Sequence, residues 1–439
     1  MTEEEKTELR KVAEKYLKDF NTLDYELNDE LRKAILMAEL SEKNLIISGS
    51  AGTGKSTFIE LLQLNSNKNY VILAPTGVAA VNVGGVTVHS FFKFPHGIIN
   101  KYAVNKSIKD LVMKLDAIII DEISMVRADM MDAIDYQLRV LTGNAEKPFG
   151  GIKIIAIGDL FQLPPIVQKG SPDEKYISDS FYSPWFFSAP DIGKFTIVEL
   201  KKIYRQNDEE FRGVLNKIRI GKQSWNDLKY INQRVVKEED FGKDYVYLST
   251  TNKVADEINQ NKLNELPGIT EYKYSKIYGT FPPSMYPTLD VLQLKVGAQI
   301  MMLRNTPWYY NGQVGSIIAL SKDNIAVELE DGSQYFINPE TWFNYEYELK
   351  DGKIRMIEKG SFAQYAIKLA WAITIHKSQS KTYNKVYIDL GNGAFSAGQT
   401  YVALSRCKTL GGIGLKYKVD KRDIIVDRTL KEYFMPKLA

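Results

Sequence analysis

Short runs of apolar residues alternate with amphipathic segments through the first half of the chain. Four of these runs end in glycine, hydroxyl or carboxylate residues, at 45–47, 70–74, 117–120 and 152–157. Continuous apolar runs of this length are typical of strands buried on both faces, and helical segments between them favour a parallel sheet. The same alternation of strand and helix returns at 243–260, so the sequence predicts an α/β fold with more than one parallel sheet. Residues 1–40, with interleaved charged and apolar positions, are predicted to be helical.

The pattern changes between about residues 290 and 365. Ile325, Val327 and Leu329 alternate with polar residues, as in a strand with one buried face. Asp331-Gly332 and Asp351-Gly352 are hairpin turn signals. This stretch therefore predicts a small antiparallel barrel inserted into the second α/β domain.

Composition narrows the class of protein. The 439 residues are too many for one ordinary core and predict two to four domains. The net charge of +3 gives no basic coat, although one local groove could still bind nucleic acid. A single cysteine excludes an internal disulfide framework, and the polar N-terminus and lack of a long apolar run argue against export or a membrane span. We expect a cytoplasmic, nucleoid-associated protein with no membrane contact.

The segment Gly-Ser-Ala-Gly-Thr-Gly-Lys-Ser at 49–56 matches the phosphate-binding loop pattern. It lies between an apolar strand and a segment suited to a helix, where backbone N–H groups and the helix dipole capture anions. Lys55 is expected to reach the outer phosphates of ATP, and the Ser56 hydroxyl to bind Mg²⁺. The remaining nucleotide contacts are predicted from Gly52, Thr53, Gly54 and Thr57.

Two carboxylates follow the third apolar run at 117–120. A phosphate-binding loop requires such acids nearby to bind the metal ion and to activate water. Asp121 is expected to hold Mg²⁺ and Glu122 to polarise the attacking water. The fourth run ends in Gly-Asp-Leu-Phe-Gln-Leu-Pro-Pro at 158–165, and Gln162 there is suited to sensing the γ-phosphate. In the second half, Tyr204 and Arg205 suggest a ring that stacks on adenine beside an arginine that reaches phosphate.

Two segments point to nucleic acid. His89 and Ser90 lie among hydroxyl and aromatic residues, a mixture that binds single strands through phosphates and bases. Residues 93–109 form a basic insertion, expected to be a hairpin or a loop. It is either a solvated connection or an element that separates or guides DNA strands.

Eight motifs occur in one order along the chain, and together they resemble the petite-integration-frequency (Pif) DNA helicases of superfamily one, close to the RecD branch and like its minimal bacterial or phage members. They are GSAGTGKS at 49–56, APTGVAA at 74–80, TVHSFF at 87–92, IIDEISM at 119–125, GDLFQLPP at 158–165, YRQ at 204–206, AITIHKSQS at 373–380 and YVALSRCKTLGGI at 401–413.

The resemblance implies two RecA-like domains with ATP between them and single-stranded DNA across their top. The first RecA-like domain would comprise 1–92 and 110–198, with a wedge at 93–109. The second would comprise 199–309 and 365–439, with a Src-homology-3-like barrel at 310–364. The implied activity is ATP-driven 5′→3′ translocation and unwinding of fork or tailed duplex DNA, with RNA–DNA hybrids and four-stranded guanine structures left open, and the family's work lies in DNA repair, recombination and telomere maintenance.

Residue roles also follow from the resemblance. Lys55, Asp121, Glu122, Gln162, Arg205 and Arg406 would be catalytic, the two arginines acting as fingers from the second domain, and Tyr204 would stack on adenine. Ser56 and Asp121 would bind the metal. The DNA path would be lined by Thr76, His89, Ser90, Pro164, Asn252, Thr374, His376 and Lys377.

Two departures and two rival hypotheses remain. Ser380 replaces the family's glycine, and Leu31 stands where the adenine-reading glutamine is expected, which leaves nucleotide selectivity open. The first rival is a DNA-stimulated ATPase that translocates without separating strands. The second is a nucleotide-dependent switch that gates partners. We expect a monomer, with dimerisation on DNA left open.

Overall fold

The computed structural model describes most of the chain after the first turns. Its backbone is described at residues 7 and 11 and over 28–50, 52–95, 97–204, 208–242, 244–321, 324–379 and 381–438, with side chains as far as Phe434. The predicted helix over residues 1–40 is described from Asp29, and its earlier part lies almost wholly outside these residues.

The first domain is built on six parallel strands. Their bounds are β1 Leu45–Gly49, β2 Tyr70–Ala74, β3 Val86–Thr87, β4 Ala117–Ile120, β5 Lys153–Gly158 and β6 Thr196–Leu200. The spatial order is β3-β2-β4-β5-β1-β6, and every pairing is parallel. All residues of β1, β4 and β5 are buried, which explains why these strands lack polar alternation.

Helices cover both faces of this sheet because strand side chains alternate in direction. Leu45 and Ile47 face a core built from α1 and α2, whereas Ile46 faces the larger core that includes α6. The helices of this domain are α1 Asp29–Leu40, α2 Lys55–Asn65, α3 Gly77–Asn82, α4 Val88–Phe92, α5 Lys109–Val112, α6 Ala128–Thr142 and α7 Pro172–Ser180.

The basic insertion at 93–109 follows α4 as a loop. Within its described residues there is no strand, and its regular structure is one 3₁₀ turn at Lys106–Ile108 and the first residue of α5. Of the two forms expected from the sequence, the structure therefore has the loop. Its role as a wedge stays a prediction.

A second parallel sheet follows in the other half of the chain. Its strands are β7 Val246–Ser249, β18 Ala372–Thr374, β19 Val386–Ile388 and β20 Ile413–Leu415, in the order β18-β7-β19-β20. Two parallel sheets, each flanked by helices, confirm the predicted α/β class. The helices are α8 Glu209–Arg219, α9 Trp225–Asn232, α10 Asn252–Glu265, α11 Gln399–Leu404 and α12 Arg428–Leu438.

Antiparallel strands separate α10 from β18. They are β8 Glu271–Tyr274, β9 Lys276–Gly279, β10 Val291–Leu294, β11 Gln299–Met302, β12 Val314–Leu320, β13 Ile325–Leu329, β14 Gln334–Ile337, β15 Pro339–Lys350, β16 Lys353–Tyr365 and β17 Ile367–Leu369. They form three sheets, with orders β10-β8, β14-β13-β12-β11-β17 and β15-β16-β9. The antiparallel region thus spans 271–369, whereas the predicted barrel at 310–364 remains a proposed domain boundary.

The long β15–β16 hairpin confirms one predicted turn and reaches the first domain. Asp351 and Gly352 both have positive φ, 53° and 71°, as a tight type I′ turn requires. The Tyr347 hydroxyl of β15 accepts a hydrogen bond from the Ile72 backbone N–H of β2 at 3.1 Å. The short strand β3 pairs only with Leu73 and Ala74 of β2, so Ile72 lies just outside that pairing. Glu346 of the hairpin forms an ion pair at 2.6 Å with Lys93, the first residue of the basic insertion at 93–109. The hairpin therefore rests against the edge of the first sheet.

The last helix returns to the first domain. Leu430 and Phe434 of α12 are buried in the larger core of the first sheet, and the Tyr433 ring stacks on Phe187 with centroids 4.2 Å apart. The sequence analysis assigned 365–439 to the second domain. In space, the end of that range packs on the first.

Candidate functional site

The phosphate-binding loop follows β1 and contains glycines at positions where the backbone conformation or a close neighbouring atom excludes other residues. Gly52 and Gly54 have φ of 81° and 91°, a left-handed conformation that other residues rarely adopt. A Cβ on Gly49 would lie 2.4 Å from Thr53 Oγ1, so only glycine fits there. The buried Thr53 hydroxyl donates to the Ser50 carbonyl at 2.9 Å. The loop is therefore shaped by backbone requirements that can be recognised in the sequence.

Lys55 lies over this loop. Its ammonium donates to the carbonyls of Gly49 and Ser50, both at 2.9 Å, at the N-terminal end of α2. Ser56 and Thr57, in the first turn of the helix, are exposed and half-buried respectively. A cation, hydroxyls and backbone N–H groups at one helix end are the requirements of a polyphosphate site.

The two predicted acids follow β4, two strands from β1. Burial and the neighbouring Glu122 carboxylate raise the pKa of Asp121 to about 7, while Lys55 acts in the opposite direction. Lys55 and Asp121 therefore belong to one electrostatic site. Glu122 has φ 50° and ψ 45°, a left-handed backbone that is uncommon for a residue with a side chain.

The residues at this site fit a magnesium ion held jointly with phosphates. The Ser56 hydroxyl and the Asp121 carboxylate are oxygen ligands, which Mg²⁺ prefers. In the part of the chain that the structure describes, no three histidine, cysteine or acidic side chains form a metal cluster of their own. With only these two protein ligands, nucleotide phosphates and water would have to complete the coordination of a bound Mg²⁺.

Gln162 follows β5, between β4 and β1, and is buried. Its amide Nε2 donates to Asp159 Oδ2 at 3.2 Å, and its Oε1 accepts from Gln379 Nε2 of the second domain at 3.3 Å. A Cβ on Gly398 would lie 2.2 Å from the Gln162 carbonyl, so the two domains meet closely here. Gln162 thus links the edge of the first sheet that carries the phosphate-binding loop to the second domain.

Arg406 is fully buried, which its predicted role as a finger did not indicate. Nε donates to the Val402 carbonyl at 2.8 Å, and Nη1 donates to the carbonyls of Ser378 and Lys381 at 2.8 and 3.1 Å. Nη2 donates to Ser405 Oγ at 2.8 Å. Burial lowers the pKa of this guanidinium, which has neutral acceptors as its closest partners.

Tyr204 and Arg205 were predicted to serve the nucleotide base and phosphates. Arg205 lies outside the described residues. Tyr204 is half-exposed beside the phosphate loop, where its backbone N–H donates to the Gly52 carbonyl at 2.9 Å. Asn28 Nδ2 donates to the Tyr204 hydroxyl at 3.2 Å, an amide contact that the sequence analysis missed.

Leu31, which stands where the family's glutamine is expected, is not available to a nucleotide. It is buried in the core formed by α1, α2 and the sheet. The side chain of Asn28, the N-cap of α1, contacts Tyr204 from one turn earlier. A search for an amide side chain near position 31, rather than at it, would have found this residue.

The predicted DNA-path residues lie at or after the carboxyl ends of strands in both sheets, namely β2, β3 and β5 in the first and β7 and β18 in the second. Thr76 caps α3 after β2, and His89 and Ser90 lie in α4 after β3. Pro164 is half-buried after β5. In the second domain, Asn252 begins α10 after β7, Thr374 ends β18 and accepts from the Lys377 N–H at 3.2 Å, and burial lowers the pKa of His376.

Sequence reasoning missed Arg219, a buried arginine between the two domains. It ends α8, and its guanidinium lies 3.1 Å from Asp159 and 3.4 Å from Glu199, both in the first domain. The Phe161 ring lies 4.7 Å below it, and the Tyr401 hydroxyl donates to the same Asp159 at 3.2 Å. Burial opposes the charge, but these acidic neighbours raise the pKa of Arg219.

Loss of this ion pair should destabilise the fold strongly. In Arg219→Met, Asp159 is left as a buried, unpaired carboxylate, which costs about 3–5 kcal/mol in the free energy of unfolding. Urea unfolding of the DNA-free protein measures this. The matched control is Arg212→Met on the same helix, whose exposed pair with Glu209 should change stability by about 0.5 kcal/mol or less. Equal losses in the two variants would contradict the assignment.

Comparisons with known proteins agree with this geometry. Residues 26–228 match the PIF1-like helicase family. The chain is 32% identical to the ATP-dependent DNA helicase Pif1 of Campylobacter jejuni, over 84% of this chain and 87% of that protein. It is 31% identical to the human ATP-dependent DNA helicase PIF1, but it spans only 60% of that protein's length.

Solved structures of a Bacteroides Pif1 are also similar. The complex with ADP-AlF4 has a TM-score of 0.88 and 38% identity, over 94% of this chain and 97% of that one. The complex with single-stranded DNA has a TM-score of 0.68 at the same identity and the same shares of the two chains.

None of the described helices of the present chain has both the length and the apolar character needed to cross a bilayer.

Proposed function

The chain belongs to the PIF1-like helicase family, and we propose that it is an ATP-dependent helicase that translocates 5′→3′ on single-stranded DNA and unwinds duplex DNA. It acts on tailed or forked DNA in the cytoplasm, with Mg²⁺ as the metal. A monomer suffices, because one chain carries both parallel sheets and every predicted contact to nucleotide and DNA.

One observation carries this proposal. The segment 374–381 holds the predicted DNA-path residues Thr374, His376 and Lys377, and the same segment is held by Arg406. The guanidinium donates to the carbonyls of Ser378 and Lys381, directly after those residues in the chain. A group suited to sensing ATP is therefore bonded to the segment that grips DNA.

The chemical roles on the first domain follow from position and charge. Lys55 and the loop backbone bind the phosphates, and Ser56 and Asp121 hold the metal ion, which neutralises the charge of the transferring phosphoryl group when bound. Glu122 accepts a proton from the attacking water, since it is the second acid at the carboxyl end of β4. Gln162 orients that water from the neighbouring strand β5.

ATP hydrolysis is coupled to the grip on DNA because the γ-phosphate competes with the carbonyls of Ser378 and Lys381 for the N–H donors of Arg406. A γ-phosphate offers charged acceptors, which bind a guanidinium more strongly than the neutral carbonyls of Ser378 and Lys381. When Arg406 turns to the phosphate, segment 374–381 is released and resets its contacts to the strand. Hydrolysis removes the charged acceptor and restores the bonds to the segment, so each ATP cycle alternates the grip on DNA.

Binding to DNA carries little sequence preference. Hydroxyl, amide, imidazole and ammonium groups predominate along the path, and these groups bind phosphate and sugar rather than base edges. The strand crosses the β2–β3 edge of the first sheet and the β18–β7 edge of the second. Its polarity is proposed from membership of the family.

The test is unwinding of a short duplex that carries either a 5′ or a 3′ single-stranded tail, with ATP and Mg²⁺. We expect strand separation with the 5′ tail alone. Unwinding with the 3′ tail alone would overturn the polarity. ATP hydrolysis stimulated by single strands but without unwinding would favour a translocase, and hydrolysis without any response to single strands would favour a nucleotide switch.

A further inference from the structure

Asp159 is a buried carboxylate that directly follows β5 and binds groups from both parallel domains. Its oxygen Oδ1 accepts from the Phe161 backbone N–H at 3.2 Å and from Arg219 Nε at 3.1 Å. Its oxygen Oδ2 accepts from Gln162 Nε2 and from the Tyr401 hydroxyl, both at 3.2 Å. A carboxylate offers about four acceptor sites, so these four donors fill its capacity and fix the plane of the group.

The filled carboxylate determines which way the side-chain amide of Gln162 faces. A carboxylate paired with an arginine only accepts hydrogen bonds, so the amide presents its nitrogen to Asp159 and turns its oxygen away. The reverse orientation would place two acceptor oxygens against each other. The contact on the other side agrees with this direction, because Gln379 Nε2 donates to Gln162 Oε1 at 3.3 Å. An amide oxygen can accept twice, so Oε1 has capacity for one further donor.

The proposed role of Gln162 depends on this direction. The attacking water gives one proton to Glu122, and its other hydrogen needs an acceptor if the molecule is to be held in one orientation. The amide oxygen of Gln162 is such an acceptor, whereas the amide nitrogen is not. An amide that was free to flip would present the wrong atom for part of the time, and turnover would fall.

Tyr401 lies on α11 of the second domain, and this helix meets Gln162 at a second point. A Cβ added to Gly398, the N-cap of α11, would lie 2.2 Å from the Gln162 carbonyl oxygen. The Tyr401 ring is buried in the core of the second domain, which fixes the position of its hydroxyl. Burial, and then the charge of Asp159, raise the pKa of this hydroxyl, so it stays a proton donor at neutral pH.

Arg219 cannot fix this direction by itself. Its guanidinium bonds Oδ1 of Asp159, the oxygen that does not contact Gln162, and it is held there by the Phe161 ring and by Glu199. If Arg219 were the sole partner, the carboxylate would keep its ion pair, but Oδ2 could swing about the side-chain bond. Tyr401 is the donor that holds Oδ2 beside the amide.

We propose that Asp159 and Tyr401 are positioning residues for ATP hydrolysis, which orient the amide of Gln162 so that its oxygen receives the attacking water. The inference rests on the proposed function, because it explains how one residue of that same site is held. Neither side chain exchanges a proton in this role, since the proton of the water passes to Glu122.

The first test is Tyr401→Phe, which removes the hydroxyl and keeps the buried ring. Loss of one hydrogen bond to a charged group should lower kcat for ATP hydrolysis about tenfold, because the amide is then free to flip. KM for ATP should be unchanged, since the phosphate loop is proposed to bind the nucleotide and the lost contact matters in the transition state. Steady-state hydrolysis with saturating oligothymidylate measures both constants.

The matched control is Tyr387→Phe, at another buried tyrosine of the second domain. The Tyr387 hydroxyl donates to the Val236 carbonyl of its own domain at 3.0 Å, so the variant also loses one hydrogen bond. Its kcat should equal that of the wild type. The melting temperatures of the two variants, measured without DNA, should fall by similar amounts.

A double-mutant cycle with Gln162→Ala separates positioning from a general effect on the fold. If Tyr401 acts through the amide of Gln162, Tyr401→Phe should cause no further loss of kcat once that amide is absent. A general effect on the fold would lower kcat by the same factor in both backgrounds.

Three outcomes would overturn the inference while leaving the proposed function intact. They are an unchanged kcat in Tyr401→Phe, an equal loss of kcat in the Gln162→Ala background, and a melting temperature well below that of Tyr387→Phe. If Gln162→Ala keeps the turnover of the wild type, the proposed role of Gln162 fails, and the inference fails with it. If the wild type shows no hydrolysis that responds to single strands, the proposed function itself fails.

Discussion

Replacement of Glu122 by glutamine is expected to lower ATP turnover about 10²–10⁴-fold while ATP binding persists, because the amide cannot accept a proton from the attacking water. The substitution keeps the size of the side chain and the left-handed backbone at this position. It also removes the carboxylate that, after burial, raises the pKa of Asp121, so metal binding at Asp121 should not suffer. Steady-state hydrolysis and binding of a fluorescent ATP analogue measure the two effects.

The control for this variant is Glu60→Gln. Glu60 is an exposed acid on α2, the helix that follows the phosphate loop, and its loss should leave turnover and binding unchanged. Near-normal turnover in Glu122→Gln would contradict the assignment of Glu122 as the base. Loss of ATP binding would instead indicate that Glu122 holds the nucleotide or its metal.

The positions of the candidate nucleotide-binding residues could be predicted because their structural requirements are local. A left-handed glycine, a lysine at a helix start and acids at a strand end each need a particular residue at a particular place in the chain. Gly54, Lys55, Asp121 and Glu122 therefore stand at the ends of β1 and β4, as their motifs predict. The parallel sheets were predictable for the same reason, since strands buried on both faces have no polar alternation.

Contacts between distant segments could not be predicted. Arg219 ends an amphipathic helix like many basic residues, and nothing near it in sequence shows that Asp159, sixty positions earlier, is its partner. Arg406 was expected to point to phosphate, yet its guanidinium donates to Val402, Ser378, Lys381 and Ser405 of its own domain. The start of the antiparallel region at Glu271 was missed because its first strands are short and mostly exposed.

The two buried arginines have different roles for an electrostatic reason. Arg219 is neutralised by Asp159 and Glu199, so its charge is already satisfied and its contribution is to stability. Arg406 is bonded to carbonyls and a hydroxyl, and burial lowers its pKa although the charges of Asp159 and Glu122 act in the opposite direction. A guanidinium in the second situation gains most from an incoming anion, which favours Arg406 as the residue that responds to ATP.

Replacement of Arg406 by lysine should therefore affect turnover and its dependence on DNA together. Loss of an arginine finger lowers turnover about 10³–10⁵-fold, because a single ammonium cannot form the paired contacts of a guanidinium at the transition state. Lysine also cannot bridge the carbonyls of Ser378 and Lys381, so single strands should no longer stimulate the residual hydrolysis. Hydrolysis with and without oligothymidylate measures both effects.

The matched control for Arg406→Lys is Arg422→Lys, an exposed arginine of the same domain that should behave as the wild type does. ATP binding should persist in Arg406→Lys, because Lys55 and the phosphate loop of the first domain are the groups proposed to hold the nucleotide. If turnover falls but the stimulation by DNA keeps its wild-type ratio, Arg406 acts on phosphate alone, and the coupling through segment 374–381 is wrong. If turnover is unchanged, the buried guanidinium is structural, and phosphate sensing belongs to other residues.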